Sequence, residues 1–383
     1  MENLTPVQPL DFSSEIPAAN VGMRPEGIAA LATLFEEQVT RQRLHPAAQL
    51  VVLRHGRVVL DRALGQLDQG PVTPETPFLT FSVSKVFTGL CIHRLIEEGR
   101  VAWDAPVATY WPEFGCKGKE KATIRHVLLH QAGIPAPGVQ RQIWLWPFWG
   151  AVTRSVARLR VEFEPGTQTA YHLVNYGFIL GEVIRRVTGL PMNSYLQQTF
   201  LAPLGLHRTW MRLPRSRMRE AALLLSDEDP WISRSVALFN RPYIRRALLP
   251  ATSLHSTARD LATFFQMLLN GGIYGGQRVL KPETIAAATA LGYDGFDGFL
   301  RTHMRWGHGF ILGGGTADGE ASASEMGRGS TVRTFGGFGM SSCMVWADPD
   351  TGVVVAFTCN RLLESQRAAQ RWAAISEAVW DSL

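Results

Sequence analysis

The stretch "FLTFSVSKVFTGLCIHRLIEEG", Phe78 to Gly99, sets Ser82 and Lys85 at i and i+3. The chain has five lysines, Lys85, Lys117, Lys119, Lys121 and Lys281, and only Lys85 has a serine at that spacing before it. On a helix, i and i+3 share a face, so hydroxyl and amine would be neighbours. The hydroxyl would also sit at the positive end of the helix. Serine is a weak nucleophile until a nearby base removes its proton. An amine in a partly desolvated pocket, its pKa lowered, can be that base. The bland reading is an N-cap serine with a solvent-facing lysine one turn later. The residues after Lys85, Val-Phe-Thr-Gly-Leu-Cys-Ile, argue against it, because they make an apolar helix in which an exposed lysine is poorly placed.

Elements elsewhere must hold this pair in place. "AAQLVVLRHGRVVLDRALG", Ala47 to Gly65, reads as two β-rich runs around His55-Gly56, a hairpin. "CMVWADPDTGVVVAFTCN", Cys343 to Asn360, is a second, with β-branched runs on either side of Asp-Pro-Asp-Thr-Gly. The chain then closes with the amphipathic helix "ESQRAAQRWAAISEAVWDSL". From about residue 105 to 249 helical spacing dominates, as in "GFILGEVIRRVTG" after Asn175-Tyr176. Strands near both ends with helices between predict a mixed α/β (α+β) fold: an antiparallel sheet flanked by helices, with an inserted, mostly helical part. The expected division is an α/β part over about 1–104 and 250–383 and a helical part over about 105–249. "GGGTADGEASASEMGRGS", Gly313 to Ser330, reads as a loop.

Composition removes several classes. Of 383 residues, 46% are hydrophobic and 19% charged, ordinary for a globular protein with a large core. The formal charge of +5 comes mostly from scattered arginines, and the densest basic run, "CKGKEKATIRH", lacks interleaved aromatics, so no nucleic-acid partner is expected. Cys91, Cys116, Cys343 and Cys359 are far apart and form no CxxC, which argues against a zinc site or a disulfide framework. The start carries no charged-then-apolar secretory pattern and no run of about 18 apolar residues occurs, so the expectation is a cytoplasmic protein without a membrane partner. There is no Gly-x-Ser-x-Gly elbow, and no His-Glu-x-x-His or P-loop.

With these residues in view, "FSVSKVFTGLCIHRLIEEGRVAWDAPVATYWPEF" resembles the first motif region of the serine β-lactamase-like superfamily, which includes class C β-lactamases, penicillin-binding DD-peptidases and family VIII carboxylesterases. "ATIRHVLLHQAGIP" is similar to the segment these proteins place after it. "EPGTQTAYHLVNYGFILGEVIRRVTG" resembles the second motif region in its esterase-like form, and "LLPATSLHSTARDLATFFQMLLNGG" and "RWGHGFILGGG" match further along. The resemblance spans about Val51 to Asn360. It implies a third catalytic group, Tyr171, acting as a phenolate or hydrogen-bonded partner of Lys85. The common Tyr-x-Asn form is absent, since position 173 is Leu; Asn175 lies four residues on, and His172 is expected to bond locally.

The third motif departs most. Lactamases and peptidases carry Lys-Thr-Gly on the edge strand; counting back from "WADPDTG" puts Gly337-Phe338-Gly339 there. The base that grips a substrate carboxylate is therefore missing, which forfeits on the order of 1.5–3 kcal/mol toward an anionic substrate. Arg333 is the candidate to compensate. The backbone amides of Ser82 and Met340 are expected to form the oxyanion hole. "RQIWLWPFWG" clusters Trp144, Trp146, Phe148 and Trp149; core packing is the plain reading, and an apolar wall beside the ester, with Trp146 against substrate, is the sharper one.

The resemblance thus implies a serine hydrolase of small carboxylic esters working through a Ser82 acyl-enzyme, with no metal or organic cofactor. Acyl transfer to an alcohol or amine, β-lactamase or peptidase chemistry, and a non-catalytic binding protein are the alternatives. The physiological ester and the oligomeric state are not readable.

Overall fold

The computed structural model describes residues 8–135, 140–226, 230–314 and 324–383. Helix α1, Pro25–Thr40, opens with proline in its first turn, where a missing N–H costs nothing. Strands β1 (Ala47–Arg54) and β2 (Arg57–Leu67) form the first expected hairpin, and Gly70–Pro71 (β3) adds a short edge. Helix α2 spans Ser84–Glu97, α3 Asn175–Thr188 and α4 Ala258–Leu269. Strands β4 (Tyr293–Asp297), β5 (Thr302–Trp306), β6 (Ile311–Leu312), β7 (Phe335–Gly339), β8 (Cys343–Asp348) and β9 (Val353–Cys359) follow, then helix α5, Ser365–Trp380. Between Val107 and Arg245 every regular element among the described residues is helical. Of the expected loop at 313–330, residues 315–323 lie outside the described residues, and Ser324–Met326 make one 3₁₀ turn.

The strands form one antiparallel sheet of nine, in the order β3-β2-β1-β9-β8-β7-β6-β5-β4. Strands from the two ends of the chain meet at its centre, where Val51 of β1 pairs with Ala356 of β9. Side chains alternate across a strand, and here both faces are covered. Val51, Leu53, Val345, Ala347, Val354 and Ala356 pack toward α2 and α4. Leu50, Val52, Met344, Trp346, Val355 and Phe357 pack toward α1 and α5. Covered faces explain why β1 and β9 read as unbroken apolar runs rather than alternating ones. Trp346 ties the outer layer down: its ring stacks on Trp380 at 5.2 Å and its indole N–H donates to Ser376 Oγ at 3.0 Å. Among the described residues no helix is long and apolar enough to cross a membrane.

Two close approaches bring the layers together at the front of α2. Gly177 in α3 lets that helix lie directly on Pro250–Ala251, because a Cβ there would meet the Ala251 nitrogen at 2.3 Å. Gly339 ends β7 against Thr80, where a Cβ would lie 1.9 Å from the Thr80 carbonyl oxygen. Both glycines are steric requirements.

Candidate active site

Ser82 lies in the turn just before α2, after Phe81, whose φ is +43°. A positive φ on a bulky residue is strained, and packing compensates: the Phe81 ring meets Phe239 edge-on at 4.9 Å. The helix begins two residues later than Ser82, with Ser84 Oγ fixing the turn through the Phe81 carbonyl and the Leu254 amide. Lys85 is 4% exposed, and its Nζ lies 3.3 Å from both Ser82 Oγ and the Ala251 carbonyl. Burial pushes the Lys85 amine well below its ordinary range, and no carboxylate among the described residues forms an ion pair with it. Desolvation without a counter-charge favours the neutral amine. A neutral amine at this distance could accept a proton from Ser82 Oγ.

Tyr171 completes the group. It is 8% exposed, its hydroxyl lies beside Ser82, and its ring lies under Lys85 Nζ at 4.5 Å from the centroid. Burial raises its pKa above the usual tyrosine range, the Ser82 hydrogen bond opposes this, and Asp297 adds to it. Burial thus pushes both groups toward their neutral forms, which favours the hydrogen-bonded partner over the phenolate.

The segment carrying Tyr171 has no regular structure, so its backbone groups need other partners. The Ala170 amide donates to the His130 carbonyl at 3.0 Å, the His172 amide to His130 Nδ1 at 3.1 Å, and the Tyr171 amide to Asp297 Oδ1 at 3.0 Å. His172 bonds locally, with its ring Nδ1 2.6 Å from the Ala170 carbonyl and Nε2 accepting from the Ile134 amide at 3.2 Å. Burial lowers His172 to about 4, so it is a neutral staple. Asn175 is 1% exposed and donates to the Ile134 carbonyl at 2.8 Å, which fastens the same loop and turns it away from the cleft.

The cleft in front of Ser82 is lined by Lys85, Val86, His130, Tyr171, Tyr176 and Trp306, with Gly309, Ile311, Gly336, Gly337 and Phe338 on the sheet side. Its free volume is about 20 Å³. The sheet side is an edge that is only partly covered. Strand β6 pairs with β7 only at Leu312–Phe335 and Ile311–Gly336, so beyond Gly336 this edge of β7 faces the cleft. The Thr334 carbonyl accepts from the Gly313 amide on the β6 side, whereas the Gly339 carbonyl accepts from Ser342 in the hairpin turn toward β8. Across a trans peptide the N–H opposes the C=O, so with the Gly339 carbonyl turned toward β8 the Met340 amide points to the open edge, as the Phe338 amide does two residues earlier. Met340 sits in the turn past the strand, at φ +32°, and packs against the cluster of Leu79, Phe81 and Leu362. Gly337 and Phe338 line the cleft as expected, with Gly337 directed at Val86, and Gly339 instead packs on Thr80.

Two further expectations move. Trp146 is 4% exposed, belongs to the main core and approaches Phe239 at 6.2 Å, so core packing is its place and it does not line the cleft. Arg333 is engaged with Asp350 at the β8–β9 turn and does not replace the missing base. His130, Trp306 and Asp297 were not singled out as site residues. His130 and Trp306 lay within quoted segments, "HQAGIP" and "RWGHG", whereas Asp297 carried no signal in "GYDGFDGF".

Comparison with known proteins agrees with this geometry. The sequence profile of the Beta-lactamase family matches residues 31–379. The chain belongs to that family. It is 28% identical over 355 residues to Esterase/beta-lactamase LipL of Mycobacterium tuberculosis, covering 82% of this chain and 77% of LipL. Among solved structures, a penicillin-binding protein homolog from Caulobacter crescentus superposes with a TM-score of 0.80 at 31% identity, covering 94% of this chain and 99% of that one. A family VIII carboxylesterase superposes with a TM-score of 0.82 at 26% identity, with the same coverage. The β-lactamase/penicillin-binding protein fold, and membership of a serine hydrolase superfamily with esterase and peptidase members, follow for this chain.

Proposed function

We propose that this member of the Beta-lactamase family is a carboxylesterase that cleaves small esters through an acyl-enzyme on Ser82. The observation that carries the reading is the buried Lys85 amine, 3.3 Å from Ser82 Oγ and, among the described residues, without a carboxylate partner, with Tyr171 lining the same cleft under the amine. Lys85 Nζ takes the Ser82 proton as Oγ bonds to the ester carbonyl carbon. The Ser82 and Met340 amides receive the charge on the carbonyl oxygen, where backbone donors act without reorganising. Collapse breaks the bond to the leaving alkoxide, which takes the proton from Lys85 through the Tyr171 hydroxyl. Water then adds to the acyl carbon, gives its proton back along the same path, and releases the acid and free Ser82.

The choice of ester over lactam or peptide rests on charge. Lys85 is the one cationic side chain among the residues lining the cleft, and it is committed to Ser82. A substrate carboxylate would enter without a partner, and an unpaired desolvated charge is costly. A free volume of about 20 Å³, near the size of one water, favours short acyl groups. The test is intact-mass spectrometry after mixing with short acyl esters: an acyl mass gain is expected, absent in Ser82→Ala. Nitrocefin turnover rivalling that of p-nitrophenyl butyrate would reverse the ranking of ester over lactam.

A further inference from the structure

Arg371, on α5, is 2% exposed, and none of the ion pairs among the described residues includes it. Its Nη2 donates to the Ser341 carbonyl, in the turn between β7 and β8, while Nε and Nη1 are buried without a hydrogen-bond partner. The guanidinium lies 5.3 Å from the centroid of the Phe357 ring and 5.6 Å from that of Trp372. Packing alone does not account for a cation in this layer, because an apolar chain would fill the space without losing hydration.

The turn that receives this bond is strained. Met340 and Ser341 stand at φ +32° and +55°, a region that residues with a Cβ keep only where their surroundings fix them. The Ser342 amide donates to the Gly339 carbonyl at 2.7 Å, Ser342 Oγ to the Leu79 carbonyl at 2.9 Å, and the Leu363 amide to Ser341 Oγ at 2.9 Å. Arg371 adds a charged donor from the helical layer on the far face of the sheet, and charge-assisted bonds are the strong ones. Its neighbour Trp372 stacks on Phe338 at 5.6 Å with 19° between the planes, and Phe338 lines the cleft. Two successive residues of α5 thus brace the end of β7 and the turn after it. Met340, whose amide faces the open edge, is one residue from the carbonyl that Arg371 holds.

We propose that Arg371 is a positioning residue: it holds the Met340–Ser341 turn in its strained form and so keeps the Met340 amide aimed into the cleft. Arg371 does not itself line the cleft and acts only through the backbone. This rests on the esterase reading for the use of that amide, but not for the hold on the turn.

Hydrogen exchange at the Ser342 amide reads the turn without substrate. In Arg371→Met it is expected to quicken by roughly tenfold or more, the scale of one lost bond to a charged donor, while the amides of α2 keep their rates. The acyl-enzyme made from p-nitrophenyl acetate, isotopically labelled at the carbonyl carbon, reads the Met340 amide. Its infrared carbonyl band should move to higher wavenumber in Arg371→Met, because a displaced donor polarises the carbonyl less. For the same reason kcat per titrated Ser82 should fall about tenfold. A merely structural role would weaken the band, as fewer molecules fold, without moving it. Arg371→Lys, which keeps a charged donor but not the planar fork, should fall between the two. An unmoved Ser342 rate in a folded Arg371→Met overturns the proposal, and so does a quickened rate with an unmoved band. Should Arg371→Met fail to fold, the same two readouts on Arg371→Lys decide. If no acyl-enzyme forms in any of these proteins, the esterase reading falls, and the Ser342 rate still decides whether Arg371 holds the turn.

Discussion

The two walls of the cleft are built by opposite means. The Ser82–Lys85 wall is a regular helix whose first turn is set by local bonds and whose body lies in the main core. The Tyr171 wall has no helix or strand at the tyrosine itself, and is held by His130, His172, Asn175 and Asp297 across long stretches of sequence. In the first wall the backbone satisfies itself and only one costly group, a buried amine, is left over. In the second, polar side chains do what a ladder of backbone bonds would otherwise do. Helical placement tolerates substitution around it, whereas a side-chain network transmits each loss directly to the catalytic group.

The sharpest way to break the contrast is to remove the costly group. Lys85→Met should lower kcat/KM for p-nitrophenyl acetate by about 10³-fold or more, since both base and proton carrier are lost. The same change should raise thermal stability by about 1 kcal/mol, because a desolvated amine is replaced by a flexible apolar chain of similar length. A melting temperature that falls together with activity would mean Lys85 is part of the scaffold rather than a burden on it. Gly339→Ala comes next: its Cβ would fall 1.9 Å from the Thr80 carbonyl, so the end of β7 must lift and carry the Met340 amide with it. The expected loss is about 10²-fold in kcat, the scale of one oxyanion donor. Met340→Ala keeps that backbone donor and should leave kcat nearly unchanged; a comparable loss there would show that the Met340 side chain, packed on Leu79, Phe81 and Leu362, is what holds the amide in place.

The helical wall was legible and the irregular one only partly so. Ser82 and Lys85 announce themselves because i and i+3 on an apolar helix fix their relation without reference to the rest of the chain. The hairpins at Ala47–Leu67 and Cys343–Cys359 were readable for the same local reason. Tyr171 was found through resemblance, not spacing, because nothing periodic surrounds it. Asp297 lies 126 positions from the amide it holds, and that pairing exists only once the sheet has formed. Trp146 shows a different limit: an aromatic cluster near a motif cannot reveal which rings face inward.

That last point gives the mildest test on catalysis. Trp146→Ala should cost about 3–5 kcal/mol of stability, as for a buried large aromatic. The ratio of Michaelis constants for short and long esters should stay within about twofold, because its ring meets Phe239 rather than substrate.

The smallest effect at neutral pH, and the one that compares the walls most directly, is acid lability. His93 on α2 and His172 beside Tyr171 are both held neutral, with burial lowering each to about 4 from an ordinary 6.5. A histidine depressed in the folded state takes up its proton first in the unfolded chain. Stability is therefore whole above pH 6.5 and falls as the pH drops toward 4, by about 1.4 kcal/mol per pH unit for each such group. His172→Gln keeps polar atoms for the Ala170 and Ile134 bonds but cannot titrate, so urea midpoints measured from pH 7 to 4.5 should fall less steeply than in the wild type. His93→Gln should flatten the curve by a similar amount, yet only the His172 variant should also lower kcat, because only that ring fastens the loop carrying Tyr171. Equal losses of activity in both would show that the two walls are coupled as one unit, and the contrast between helix-built and network-built catalytic groups would fall.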